Sequence, residues 1–175
     1  MKQYSTRLAS IHWLTLLLFI AAFYLGHEID DTDVAASKMS LYPVHFIIGY
    51  LVLILTLIRA YFIRKDGKPA AIEGGSAIAN KVAAGIHYLL YFLLIALPVS
   101  GFIMIYTTGV AAALKANDAS KLPDLEKFAI HDIHGTIVTI LLLTIALHAL
   151  AALYHQFILK DNLIRRIAIK RSKDL

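Results

Sequence analysis

Six of the eight histidines fall inside apolar stretches, and four of the six have a spacing that can organise metal chemistry. His134 and His148 stand fourteen residues apart in one such stretch. In a helix this gives a rise of about 21 Å and a rotation within about 40° of four full turns, so both imidazoles face nearly the same side at two depths. His12 and His45 lie near the starts of two other apolar stretches. Four imidazoles at two depths are what two bis-histidine haems require. Iron with two neutral imidazole ligands is six-coordinate and leaves no open position for oxygen chemistry, so the expected chemistry is relay of single electrons.

The elements that position these residues must be membrane helices. The chain has 59% hydrophobic and 17% charged residues and a mean hydropathy of +0.69, too apolar for an ordinary soluble domain of 175 residues. Four stretches, approximately 8–26, 41–63, 82–106 and 133–157, are each long enough to cross roughly 30 Å of hydrocarbon. The expected fold is all-α: an integral membrane four-helix bundle forming a single domain over 1–175, with two haems stacked between helices. No cleavable leader is expected before the first span, because Lys2 and Arg7 lead into an apolar run as long as the others and without a small-residue processing site. The absence of cysteine excludes disulfides, iron–sulfur ligation, a Cys-ligated haem and thioether attachment of a porphyrin.

Charge orients the bundle. The N-terminus, the connection from Arg59 to Lys81 and the tail from Lys160 together carry +9, while the Glu28–Lys38 and Lys115–Asp132 connections carry −4. Both termini are therefore expected in the cytoplasm of a bacterium whose inner membrane holds the chain. These basic residues flank apolar spans in short segments, so anionic lipid and orientation explain them without nucleic acid. The Pro69–Ser76 stretch reads as a loop, and Leu114–Phe128 as a surface segment with room for a short helix or two. Pro43 is expected in the first turn of the second span, and Pro98 inside the third, where a kink is expected. Gly49, Gly85, Gly101 and Gly135 either permit close helix contact or leave room for a flat porphyrin.

Orientation converts sequence position into depth. His12 and His148 fall in the cytoplasmic half, and His45 and His134 in the outer half, which gives the pairs His12/His148 and His45/His134 as ligands of an inner and an outer haem iron. A lone intramembrane histidine is more often a hydrogen-bonded helix contact, but ligation explains four at matched depths. His87 and His155 lie at one level near the cytoplasmic side; either suits a haem propionate, a quinone carbonyl or proton delivery, and interfacial solvation explains them equally. His87 is also an alternative axial ligand. His131 and Asp132 read as a structural start to the fourth span, His27 as solvated in an acidic turn, and Trp13, Tyr61, Tyr88 and Tyr106 as interfacial aromatics.

Ile11-His12-Trp13, His45, Leu93–Gly101 with Ala96-Leu97-Pro98 at its centre, His134, and the run from His148 through His155 to Lys160-Asp161-Asn162 together resemble the bacterial four-helix cytochrome b561 family over nearly the whole chain. Within that family the chain is most similar to short stand-alone members that oxidise superoxide and reduce quinone. The resemblance implies the same two histidine pairs as haem b ligands, and a ubiquinone site beside the inner haem at His87, His155 and Lys81. It also implies electron transfer from a periplasmic one-electron donor, superoxide, to the quinone pool. The alternative is a haem-bearing subunit that relays electrons between quinone and a dehydrogenase, hydrogenase or other protein; a weak homo-oligomer is compatible with either. One feature departs from the superoxide reading: an anionic substrate is steered by positive charge, and the outer connections are net acidic.

Overall fold

The computed structural model describes residues 3–67 and 76–169. Four long helices dominate: α1 (Thr6–Asp31), α2 (Ala35–Asp66), α3 (Ala77–Thr107) and, after the short α4 (Val110–Ala116), α5 (Ala129–Phe157). Three 3-10 turns complete the described structure, at Ala119–Lys121, Leu125–Lys127 and Leu163–Ile167. All four long helices are long and apolar enough to cross a membrane.

The helices outrun the apolar stretches because polar residues at their ends still satisfy backbone groups within the helix. α1 continues to Asp31, so His27, Glu28, Asp30 and Asp31 are helical and the acidic turn expected around His27 is absent. α2 starts at Ala35, which places Pro43 two turns inside the helix rather than in its first turn. Pro98 lies inside α3 as expected. Ser5 and Ser76 cap α1 and α3, each accepting a hydrogen bond from the backbone N–H three residues on, Leu8 and Ala79. Gly109 turns the chain from α3 into α4 at φ 96°, a left-handed conformation that a side chain disfavours. The Leu114–Phe128 segment is the end of α4 and two 3-10 turns. The expected loop at Pro69–Ser76 lies outside the described residues apart from Ser76 itself.

Packing divides the bundle. α1 lies along α2 and α3 along α5, with α2 and α3 joining the two pairs, whereas α5 stands off from α1 and α2. In the middle, Phe19, Leu93 and Leu141 form a buried apolar cluster, and Leu141 is completely enclosed. The first and last described segments meet at one end of the bundle, where Tyr4 N–H donates to the Arg166 carbonyl and Trp13 Nε1–H to that of Ile167. At the opposite end α4 closes over a second cluster of Ile29, Tyr42 and Val110. The outward faces carry large exposed apolar side chains such as Leu17, Ile47, Phe92, Leu143 and Leu150, the pattern of helices solvated by lipid. Buried hydroxyls are met locally: Thr15, Thr56 and Thr144 each donate to the carbonyl four residues back.

Candidate functional site

The gap between α5 and the α1–α2 pair is where the histidines meet. His12 on α1 faces His148 on α5 with ring centroids 6.5 Å apart and planes at 66°. His45 on α2 faces His134 on α5, again at 6.5 Å, with planes at 68°. A metal–imidazole bond of about 2 Å, with roughly 1 Å more from Nε2 to the ring centre, puts two trans imidazoles on one metal about 6 Å apart. Both pairs have that separation. Among the described residues there is no cluster of three or more His, Cys, Asp or Glu that could hold an ion. Two protein ligands do not make a bare zinc site, which takes three or four, but they suit an iron whose equatorial positions are filled by a porphyrin.

The pair at the end opposite the termini is braced. His45 Nδ1 lies 3.0 Å from the Ala22 carbonyl, which can only accept, so Nδ1 carries the proton and Nε2 keeps its lone pair. His134 Nδ1 lies 2.9 Å from Ser100 Oγ, whose own proton goes to the Leu97 carbonyl at 2.8 Å. Ser100 therefore accepts from His134, and the same tautomer is fixed. A glycine stands against each ring: a Cβ on Gly26 would meet His45 Cε1 at 3.2 Å, and one on Gly101 would meet His134 Cε1 at 3.2 Å. Of the four glycines singled out in the sequence, Gly101 alone abuts a side chain; Gly49, Gly85 and Gly135 face open space. Gly26 carried no signal beyond its type, whereas Ser100 was a polar residue beside Gly101 in an apolar span.

The pair nearer the termini has different neighbours. His12 packs edge-on against Trp13 at 5.1 Å, and His148 against His87 at 5.1 Å with planes at 82°. Among the described residues neither His12 nor His148 makes a hydrogen bond of the kind that braces the other pair. His87 Nδ1 instead meets the carbonyl of Ala83 in its own helix, at 2.6 Å. The His87–His148 separation is shorter than that of either facing pair, His12/His148 or His45/His134. Arg59 of α2 and Tyr91 of α3 stand beside this pair, the guanidinium 5.7 Å from the Tyr91 ring centre. The Arg59 charge is close enough to act on both imidazoles.

The remaining candidates are spread out. His155 Nδ1 is 2.5 Å from Asp161 Oδ2, and the other Asp161 oxygen accepts from the backbone N–H of Leu163. Lys81 is exposed in the second turn of α3. His131 Nε2 reaches Asp30 at 3.4 Å and ties the start of α5 to the end of α1, in keeping with a structural role. Trp13, Tyr61, Tyr88 and Tyr106 are all exposed. A pocket of roughly 320 Å³ opens at the end away from the termini, lined by Asp30, Lys38, Tyr42, Asp124, Glu126 and His131 among others. Tyr42 and His131 come three residues before His45 and His134, so this pocket lies about one helical turn beyond the braced pair. Lys127 and Lys121 are held locally by Asp124 and Asp118, at 3.1 Å each; Asp118 is held below the usual carboxylate range by the hydroxyl of Ser120 and by Lys121, and Asp124 by Lys127.

Known proteins resemble this chain over nearly its whole length. The family described as prokaryotic cytochrome b561 matches residues 3–168. A Yersinia pestis protein named probable superoxide oxidase CybB is 30% identical, over 97% of this chain and 98% of its own length. Cytochrome b561 homolog 1 of Escherichia coli K12 is also 30% identical, over 98% and 99%. Cytochrome b562 of Cereibacter sphaeroides is 29% identical over 90% of each chain.

Proposed function

Because the chain belongs to the prokaryotic cytochrome b561 family of haem b membrane electron-transfer proteins, we propose that it carries electrons across a bacterial inner membrane from superoxide, a periplasmic one-electron donor, to ubiquinone. The observation that carries this reading is the repetition of one imidazole spacing, 6.5 Å, at two levels of the same helix gap. His12 and His148 hold the inner haem iron, and His45 and His134 the outer one. Bound there, haem supplies reversible one-electron storage at two depths.

The protein's own part is to fix ligands and exclude water. Ala22 and Ser100 hold the outer imidazoles in the tautomer that offers Nε2. Phe19, Leu93 and Leu141 fill the space between the two levels with hydrocarbon. Both termini are cytoplasmic, since the basic segments gather at the end that holds them. Ubiquinone takes two electrons and two protons near His87, beside the inner pair; His155, oriented by Asp161, and Lys81 serve the same end of the bundle.

Donor identity is decided at the outer pocket. Asp30, Asp124 and Glu126 oppose an anion there, against the single cation Lys38. That lining equally suits a basic protein donor, which is the reading in which the chain is the haem subunit of a larger redox system. Stopped-flow mixing with superoxide, with and without ubiquinone, separates the two. Haem reduction faster than spontaneous dismutation, accelerating as salt screens the acidic pocket, is the expected result. Reduction no faster than dismutation removes superoxide and leaves the protein-donor reading.

A further inference from the structure

Arg59 is a charged residue in an apolar span without a counter-ion among the described residues. It sits seven residues before the end of α2, about 10 Å from that end along the helix axis. Its Nε is enclosed by protein and has no hydrogen-bond partner, and the hydroxyl of Tyr91, the ring nearest its guanidinium, is enclosed and unpartnered as well. The two described carboxylates at this end are already taken. Asp66 pairs with Arg7 at 2.9 Å, and Asp161 with His155. An intramembrane guanidinium and a phenol hydroxyl left unmatched side by side are costly, and such groups persist where they meet a partner from outside the chain.

Both groups stand at the level of the inner imidazole pair. A guanidinium and a hydroxyl are both donors to a carboxylate, and Arg presents a planar fork suited to it. We propose that Arg59 and Tyr91 form a receptor for a carboxylate of the inner haem, and that Arg59 thereby makes this haem the better electron acceptor of the two. This rests on the inner imidazole pair holding a haem. Adding an electron to iron in a site of low dielectric is favoured by a fixed positive charge nearby, and removing Arg59 would leave the haem carboxylate unneutralised. Among the described residues no lysine or arginine acts on the outer pair as Arg59 acts on the inner one: the charge that acts on both its rings is Asp30, and Lys38 lies a turn away in a pocket it shares with Asp30, Asp124 and Glu126. The charge difference therefore sets the direction of electron flow, from the outer level to the inner.

The test is a redox titration of purified holoprotein in lipid discs, following the absorbance of both haems in the wild type and in Arg59→Gln, Arg59→Lys and Tyr91→Phe. In Arg59→Gln the ratio of reduced to oxidised inner haem at a fixed potential should fall at least tenfold, which is 59 mV for a one-electron couple. Arg59→Lys should recover part of the loss, and Tyr91→Phe should shift the same way by less. The outer haem, measured in the same molecules, shows that the bundle is folded and should not move. Glu73→Gln and Asp174→Asn should leave the inner haem unchanged; a shift in either equal to that in Arg59→Gln would assign Arg59 to a protein carboxylate and overturn the proposal.

Two further arms identify the source of the anion. Wild-type protein reconstituted with haem dimethyl ester should lose the Arg59-dependent difference. If that difference survives with the ester and vanishes only in discs lacking anionic lipid, the partner is a lipid phosphate and the proposal fails. An inner midpoint unchanged in Arg59→Gln also overturns it, while leaving two haems in place. A wild type with no haem at the inner pair sinks the di-haem reading itself before any Arg59 variant is made.

Discussion

The two histidine pairs share one separation, yet the structure supports them in opposite ways. At the outer level both rings are pinned by hydrogen bonds from Nδ1 and walled by a glycine, so orientation is fixed by the protein before anything binds. At the inner level the rings rest against other rings, Trp13 and His87, and the distinctive neighbour is the charge of Arg59. Ligand spacing and ligand support are thus separate properties. The first is nearly the same at both ends; the second differs and should divide the variants by site.

Deleting ligands gives the largest expected effect. His45→Ala or His134→Ala should remove the outer haem alone, and His12→Ala or His148→Ala the inner one, each halving haem per chain in a pyridine haemochrome assay. Retention of both haems after joint loss of His134 and His148 would end the assignment. Next comes the wall: Gly101→Val puts a branched side chain where even a Cβ stands 3.2 Å from His134 Cε1, so outer haem occupancy should fall severalfold with inner occupancy unchanged.

A smaller effect is expected from the brace. Ser100→Ala removes the acceptor for His134 Nδ1, and loss of such an outer-shell partner weakens metal-site affinity about 10–100-fold. Dilution or competition with an apo-haem acceptor protein should strip the outer haem first in this variant. Equal loss from both levels would show that the asymmetry between the pairs has no energetic meaning.

Much of this was legible in the residues. The four spans follow from apolar length, and the depth argument groups His12 with His148 and His45 with His134, whose rings face one another at 6.5 Å; haem ligation by them is the proposal those rings support. Helix ends were less legible, because apolarity stops before the backbone does: Ser37, Lys38 and Ser40, and His27, Glu28, Asp30 and Asp31, are polar and still helical. The supports were hidden for a different reason. That Ala22 offers a carbonyl, or that Gly26 leaves space for an imidazole from the next helix, depends on helix rotation, which weakly amphipathic spans do not reveal. Arg59 was read as part of a basic connection and counted for orientation. Its depth inside α2 and the company of Tyr91 appear only once the helices are packed.

Leu141 lies seven residues from both His134 and His148, enclosed at the midpoint of the hydrocarbon layer that separates them. Electrons can tunnel through such a layer but protons cannot follow, so on the proposed path each transfer would move a bare charge over about 21 Å of a roughly 30 Å dielectric. With the cytoplasm negative, an electron moving inward works against the membrane voltage, by about 1.6 kcal/mol for each 100 mV. Turnover should therefore slow as the cell becomes energised and quicken when the voltage collapses. On that path, the same apolar plug that insulates the two levels would make the protein responsive to the energetic state of the membrane it occupies.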